Sequence, residues 1–208
     1  PRANGIIALG LREGDRLIRV TLTDGKSQML VASYNGKVVR FPEDTVRPMG
    51  RTATGVRAIK LDEDGKDCVV GMICVEEGSK DTVLVISDKG YGKRTMLDDE
   101  TGEPIYRITN RGGKGVKTMN ITDKTGNLIG MEAVNDEQDL MLITKSGTAI
   151  RMPMTSISIL GRATQGVKLI ELQKRNDTLM FGCTVPKEEV EEQTAEEGTN
   201  EVTNNTEE

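Results

Sequence analysis

Histidine is absent from all 208 residues. That removes imidazole acid–base chemistry and His-ligated metals from consideration. Tryptophan is absent too, and there are only two Phe and three Tyr. Proteins that grip unpaired bases stack them on aromatic faces, and this chain has few to offer. Its three cysteines, Cys68, Cys74 and Cys183, are odd in number and form no C-x-x-C. Neither a disulfide framework nor a zinc site is indicated, and buried strand thiols are expected. No apolar run reaches the roughly 18 residues of a membrane-spanning helix, and no secretory signal pattern opens the chain. A soluble cytoplasmic protein is the expectation. Helical periodicity is also scarce. Apolar residues recur with a period near two, rich in Val, Ile and Thr and punctuated by 23 glycines, as in short strands.

The net charge of -5 conceals two parts. Residues 187–208, "KEEVEEQTAEEGTNEVTNNTEE", hold nine Glu and one Lys. Setting them aside takes the chain's 28 Lys+Arg and 33 Asp+Glu to 27 against 24, a net of +3 for residues 1–186. The C-terminal stretch has too little apolar surface to offset its ordering entropy and is expected to be a disordered acidic tail on a mildly basic body.

Self-similarity organises that body. One unit recurs as "QMLVASYNGKVVRFPEDTV" (28–46), "TVLVISDKGYGKRTMLDDE" (82–100) and "LMLITKSGTAIRMPMTSIS" (140–158). Each copy predicts a hairpin turning at Gly36, Gly90 or Gly147. Asn35-Gly36 carries the strongest hairpin signal, because both residues tolerate positive φ. A second unit follows as "GRTATGVRAIKLDEDGKDCVVGMICV" (50–75), "NRGGKGVKTMNITDKTGNLIGMEAV" (110–134) and "GRATQGVKLIELQKRNDTLMFGCTV" (161–185), with a fainter copy at 1–22. Its anchors are Gly5, Gly55, Gly115 and Gly166. The pattern predicts hairpin, basic glycine loop, hairpin: about four short strands per repeat, as in propeller-like arrays. Full repeats fall at 28–75, 82–134 and 140–185, with a half repeat at 1–22. That half repeat should leave strands partly unpaired, an edge that native folds avoid, and together with a start at Pro1 it suggests a piece of a longer polypeptide.

Cations recur at matched places. In the hairpins they are Arg40, Lys93 with Arg94, and Arg151. In the loops they are Arg51, Arg111 and Arg162, then Arg57, Lys117 and Lys168, with Lys114 in the glycine run. A repeat array carries equivalent positions to equivalent places, so these residues are expected to form one curved track. Such a track suits a sequence-neutral phosphate backbone, and the scarcity of aromatics favours duplex over single strands. The competing reading, that exposed cations merely keep the fold soluble, is weakened by the threefold recurrence. The run "NRGGKGVK" lacks the G-x-x-x-x-G-K-[ST] spacing of a nucleotide-binding loop. The carboxylates of "EDGKD" (63–67) and "DDETGE" (98–103) lack EF-hand spacing and read as solvated turns. Methionines such as Met72, Met131 and Met141 are expected in the strand cores.

At "VVRFPEDTVRPMGRTATGVRAIKL", "KGYGKRT" and "SISILGRATQGVKLI" the sequence resembles the C-terminal domain of the A subunit of bacterial DNA gyrase, a type IIA topoisomerase. The resemblance covers about residues 1–185. It implies an all-β pinwheel of propeller-like blades that exchange a strand between neighbours, here a partial ring. It also implies wrapping of double-stranded DNA around the rim, in support of ATP-dependent negative supercoiling. The implied partner is the gyrase B subunit in an A2B2 assembly that uses ATP and Mg2+. No cofactor, no metal and no catalytic residue is expected within this stretch, since none of Tyr34, Tyr91 and Tyr106 sits in a nucleophile context. The family's heptapeptide Q-R-R-G-G-[RK]-G belongs to the first blade. The "TNRGGKG" of 109–115 matches five of its seven positions, in a later blade. Two alternatives stay open: the equivalent domain of topoisomerase IV, and a propeller-like protein-interaction scaffold without a DNA role.

Overall fold

The computed structural model describes residues 5–63, 65–172 and 176–187. The acidic tail, apart from Lys187, lies outside the described residues. Eleven strands and two short 3₁₀ turns, and no α-helix, make up the described fold. The three predicted hairpins are all present. They are β1 (Gln28–Ser33) with β2 (Lys37–Pro42), β4 (Thr82–Ser87) with β5 (Tyr91–Met96), and β8 (Gln138–Thr144) with β9 (Ala149–Pro153). Their turn glycines Gly36, Gly90 and Gly147 all have positive φ. Each hairpin pairs on its inner side with one later strand: β3 (Val69–Val75), β7 (Leu128–Val134) or β11 (Leu179–Pro186).

The second half of each repeat departs from the expected hairpin. In 110–134 and 161–185 the arm after the anchor glycine is a two-residue strand, β6 (Val116–Lys117) or β10 (Val167–Lys168). Neither pairs within its own repeat. β6 adds to β2 of the preceding blade, with Lys37 opposite Lys117, and β10 adds to β5, with Tyr91 opposite Lys168. The sheets are therefore β3-β1-β2-β6, β7-β4-β5-β10 and β11-β8-β9. The anchor glycine explains the exchange. A Cβ on Gly115 would sit 2.5 Å from the Val38 carbonyl oxygen, and one on Gly166 would sit 2.7 Å from that of Gly92. Only glycine, at φ +72° and +79°, lets the loop lie flat on its neighbour's outer strand.

Both faces of the first two hairpins are covered, and much of the core lies between blades. One cluster joins Leu30, Val38 and Ile73 of the first blade to Val83, Tyr106, Met119 and Met131 of the second. Another joins Leu84, Ile86 and Val134 to Leu140, Leu142, Met154 and Leu179 of the third. A third, around Met29, Val31, Phe41 and Ile59, lies on the other face of the first blade. Strand β7 packs against both β3 and β11. Met131 fulfils its core assignment, whereas Met72 and Met141 are half-buried. The cysteines are less buried than expected: Cys68 is exposed, and Cys74 and Cys183 are intermediate.

The half repeat forms no strand between residues 5 and 22. Ile7, Val20 and Leu22 remain 73%, 74% and 97% exposed, because no hairpin among the described residues pairs with this segment. Among the described residues, hydrogen bonds tie it to the first loop and to β7. The Gly10 amide donates to the Ala53 carbonyl at 3.0 Å, and Arg19 grips Glu132 of β7 bidentately at 2.5 and 3.0 Å.

Candidate nucleic-acid interface

The hairpin cations of the first two blades turn inward. The Arg40 side chain is 7% exposed; it donates to the Leu97 and Tyr106 carbonyls and to Asp98, and its Nε to Gln28. Arg94, one blade on, donates to the Ile157 carbonyl at 3.0 Å and to Asp136 at 2.5 Å. Tyr106 and Ile157 are matched positions, and the backbones repeat the match. Arg40 bridges Ile108 as Arg94 bridges Ile159, while the Thr109 and Leu160 amides donate to the Arg40 and Arg94 carbonyls. These arginines clasp the segment arriving from the next blade. Arg151, at the same position in the last hairpin, pairs with Asp139 and donates to the Pro186 carbonyl. Lys93 is fully buried, its ammonium donating to the Gly161 and Arg162 carbonyls at 2.5 and 2.6 Å. Those two carbonyls favour the charge. Burial opposes it, aided by the nearby Arg162 guanidinium, and the amine is held down at about 8. The matched recurrence that nominated Arg40, Lys93 and Arg94 thus has a structural explanation in strand exchange, whereas Arg151 is exposed and bonds within its own blade.

The loop cations are arranged differently. Successive loops are joined by the same backbone bond each time. The Gly10 amide donates to the Ala53 carbonyl, Lys60 to Gly113 and Asn120 to Thr164, at 3.0, 2.8 and 3.0 Å. Two of the nominated arginines bind these steps together. Arg111 donates to the Arg57 carbonyl at 3.4 Å and to that of Thr45, and Arg162 donates to the Lys117 carbonyl at 2.5 Å. Half-buried Arg111 and Arg162 therefore stand between Arg57, Lys117 and Lys168 in loop order. Arg51, Arg57, Lys114 and Lys117 are exposed, and no carboxylate among the described residues pairs with them. Lys168 is shared: it lies 2.7 Å from Glu171 and over the Tyr91 ring at 5.9 Å.

Arg107 was not singled out as a track residue from the repeats, yet it is exposed beside the second loop. Its signal was available, since Arg47 stands at the matched position one repeat earlier. What the arrangement offers is a row of cations set on a stiff, repeatedly hydrogen-bonded support. Such a surface binds phosphates by charge and position. A cluster of three or more carboxylate or thiol groups able to hold a metal is not found among the described residues.

Comparison with known proteins agrees with this geometry. The family model for the DNA gyrase C-terminal domain, a beta-propeller, matches residues 1–24, 28–76, 81–99, 106–135 and 138–181. The A subunit of DNA gyrase from Staphylococcus aureus (strain NCTC 8325 / PS 47) is 45% identical over 194 residues, and that of strain MRSA252 is 44% identical over the same length. In both cases the alignment takes in 93% of this chain but 21% of the relative, so the chain spans about a fifth of their length. Among solved structures, a DNA gyrase A C-terminal domain superposes with a TM-score of 0.74 at 24% identity, covering 87% of this chain and 58% of that one. The C-terminal domain of DNA topoisomerase IV superposes with 0.76 at 20% identity, covering 86% and 53%. These likenesses bear on the fold, and the family model and curated relatives on the family. With blades, exchanged strands and stacked basic loops all in the order the repeats dictate, the chain belongs to the DNA gyrase C-terminal domain family.

Proposed function

We propose that this chain binds duplex DNA along its stacked loops and wraps it, as part of the gyrase A protein. The observation that carries this reading is the row of Arg57, Lys117 and Lys168, interleaved by Arg111 and Arg162. It recurs from blade to blade, and the backbone of a DNA duplex repeats its charge in the same way. Bending a stiff duplex over 20–30 bp costs on the order of 1–6 kcal/mol, and many phosphate contacts along an arc offset it. The cations of this reading are Arg51, Arg57, Arg111, Lys114, Lys117, Arg162 and Lys168, with Arg107 added. Arg40, Lys93 and Arg94 support the track from beneath, and Arg151, exposed on the last hairpin, stays among the DNA-contacting candidates.

By family membership, the setting is a cytoplasmic A2B2 holoenzyme with gyrase B. ATP and Mg2+ act there outside this chain, and wrapping biases strand passage toward negative supercoiling. The test is duplex affinity against salt. Affinity should fall steeply, with a log–log slope of about -0.9 per neutralised phosphate. A flat response would favour a protein-interaction scaffold. A topoisomerase IV setting is the second reading, because that enzyme's C-terminal domain has the same fold. An enzyme carrying this chain in place of only the matching blades of its gyrase A protein separates the two: gyrase function predicts negative supercoiling of relaxed plasmid.

A further inference from the structure

The second loop differs from its two neighbours in a way that the shared track does not explain. It has Lys114 where the others have Thr54 and Gln165, and Asn110 where they have Gly50 and Gly161. Together with Arg107 these residues line a recess of about 280 Å3 against the outer strand β2, with Thr109 and Gly113 at its wall. At roughly 30 Å3 per water, that space holds a tetrahedral anion with several of its hydrating waters.

Its charge sets it apart. Three cations line it, Arg40, Arg107 and Lys114, and no carboxylate does. Four other surface cavities, of about 210 to 610 Å3, each include an acid: Asp15 and Glu63, Glu171 and Asp177, Asp62 and Glu63, or Glu43. An anion must be desolvated to enter a recess, and a lining carboxylate would repel it at short range. Here that repulsion is missing. Arg40 is already neutralised by Asp98 at 2.8 Å, so the uncompensated charge is that of Arg107 and Lys114, both exposed and without an acidic partner among the described residues. The support beneath them is rigid: the Gly112 amide donates to the Ala58 carbonyl, the Lys60 amide to the Gly113 carbonyl, and Thr109 is hydrogen-bonded to Arg40.

We infer that this recess is a discrete phosphate seat, in which Arg107 and Lys114 together hold one backbone phosphodiester of duplex DNA and fix the register of the wrapped duplex at the second blade. This rests on the DNA-binding reading above. The neighbouring loops lack the second member of this pair, with Thr54 and Gln165 in place of Lys114, and the cavity beside the first loop is lined by Asp15 and Glu63.

The assignment is tested in the full chain with Arg107→Gln, Lys114→Gln, their double variant, and Arg57→Gln/Lys168→Gln as the comparison, each checked for an unchanged thermal midpoint. If one phosphate is shared, each single variant weakens duplex binding several-fold and the double weakens it by less than the product. The salt slope of the 107/114 double then falls by about 0.9, whereas that of the 57/168 double falls by about 1.8, two separate phosphates being lost. A drop of about 1.8 for the 107/114 double, or unchanged binding by it, overturns the shared seat while leaving DNA binding intact. Competition by inorganic phosphate at fixed ionic strength, with duplex affinity insensitive to the two residues, assigns the recess to a free anion and also overturns it. No duplex binding by the wild-type chain overturns the DNA-binding reading and the seat with it.

Discussion

Substituting alanine at three matched glycines isolates the energy of strand exchange. Gly55, Gly115 and Gly166 share a position in the repeat and a positive φ of +83°, +72° and +79°. Their surroundings differ. A Cβ at Gly55 meets nothing within 4 Å. At Gly115 it meets the Val38 carbonyl oxygen at 2.5 Å, its carbon at 2.8 Å and Val39 Cγ2 at 3.1 Å, and at Gly166 it meets the Gly92 backbone at 2.7 and 3.1 Å. Gly55→Ala therefore incurs only the left-handed backbone cost, about 1–2 kcal/mol. Gly115→Ala and Gly166→Ala add a clash with backbone that cannot rotate away. Overpacking of this kind costs a further ~1–3 kcal/mol, and displacement of β6 or β10 loses a two-residue ladder worth about 1 kcal/mol per hydrogen bond. In a chain of this size each kcal/mol moves Tm by roughly 2–4 °C, so the two exchange variants should melt at least about 2–4 °C below Gly55→Ala. The loss should be accompanied by faster amide exchange at Val116–Lys117 or Val167–Lys168. Equal destabilisation of all three variants would refute the claim that these glycines exist to admit the neighbouring loop.

Other expectations follow from the same geometry. Lys93 is buried with its amine lowered from 10.5 to about 8. The charged form is thus disfavoured in the folded state, and that penalty is full below pH 8 and relieved as pH rises to 10.5. The stability of wild type relative to Lys93→Met should therefore increase across this window by up to about 3 kcal/mol, at 1.36 kcal/mol per pH unit; a flat difference in denaturant titrations would contradict it. Arg40→Ala takes the donor from the Tyr106 carbonyl, Gln28 and Asp98 and should cost ~2–3 kcal/mol of stability, whereas Arg51→Ala, on an exposed loop, should leave the melting temperature within a degree or two while reducing duplex affinity. Removing residues 188–208 takes away nine Glu; if that segment competes with DNA for the basic loops, duplex affinity should rise at low salt and converge with wild type at high salt, and equal affinities at low salt would reject the competition.

Much of this molecule is written in its repeats. The hairpins at 28–46, 82–100 and 140–158 follow from alternating apolar residues around Gly36, Gly90 and Gly147, which are local signals. The matched loop cations follow from aligning the copies at Gly55, Gly115 and Gly166. The partner of each loop could not be read the same way. "GVK" followed by an apolar run looks like the first arm of a hairpin, and only packing shows that its glycine fits the backbone of the previous blade. For the same reason the sequence ranked Arg40, Lys93 and Arg94 with Arg57, Lys117 and Lys168. Period-two alternation states that successive residues point to opposite faces of a strand, but not that both faces are covered. In the first two hairpins they are, and the outer strands β2 and β5 are covered in addition by a neighbour's loop. The recurrence of cations was therefore determined by sequence alone. Which of them clasp the next blade and which face solvent was decided by the tertiary structure, because a buried guanidinium or ammonium must find carbonyls and the exchanged loop supplies them.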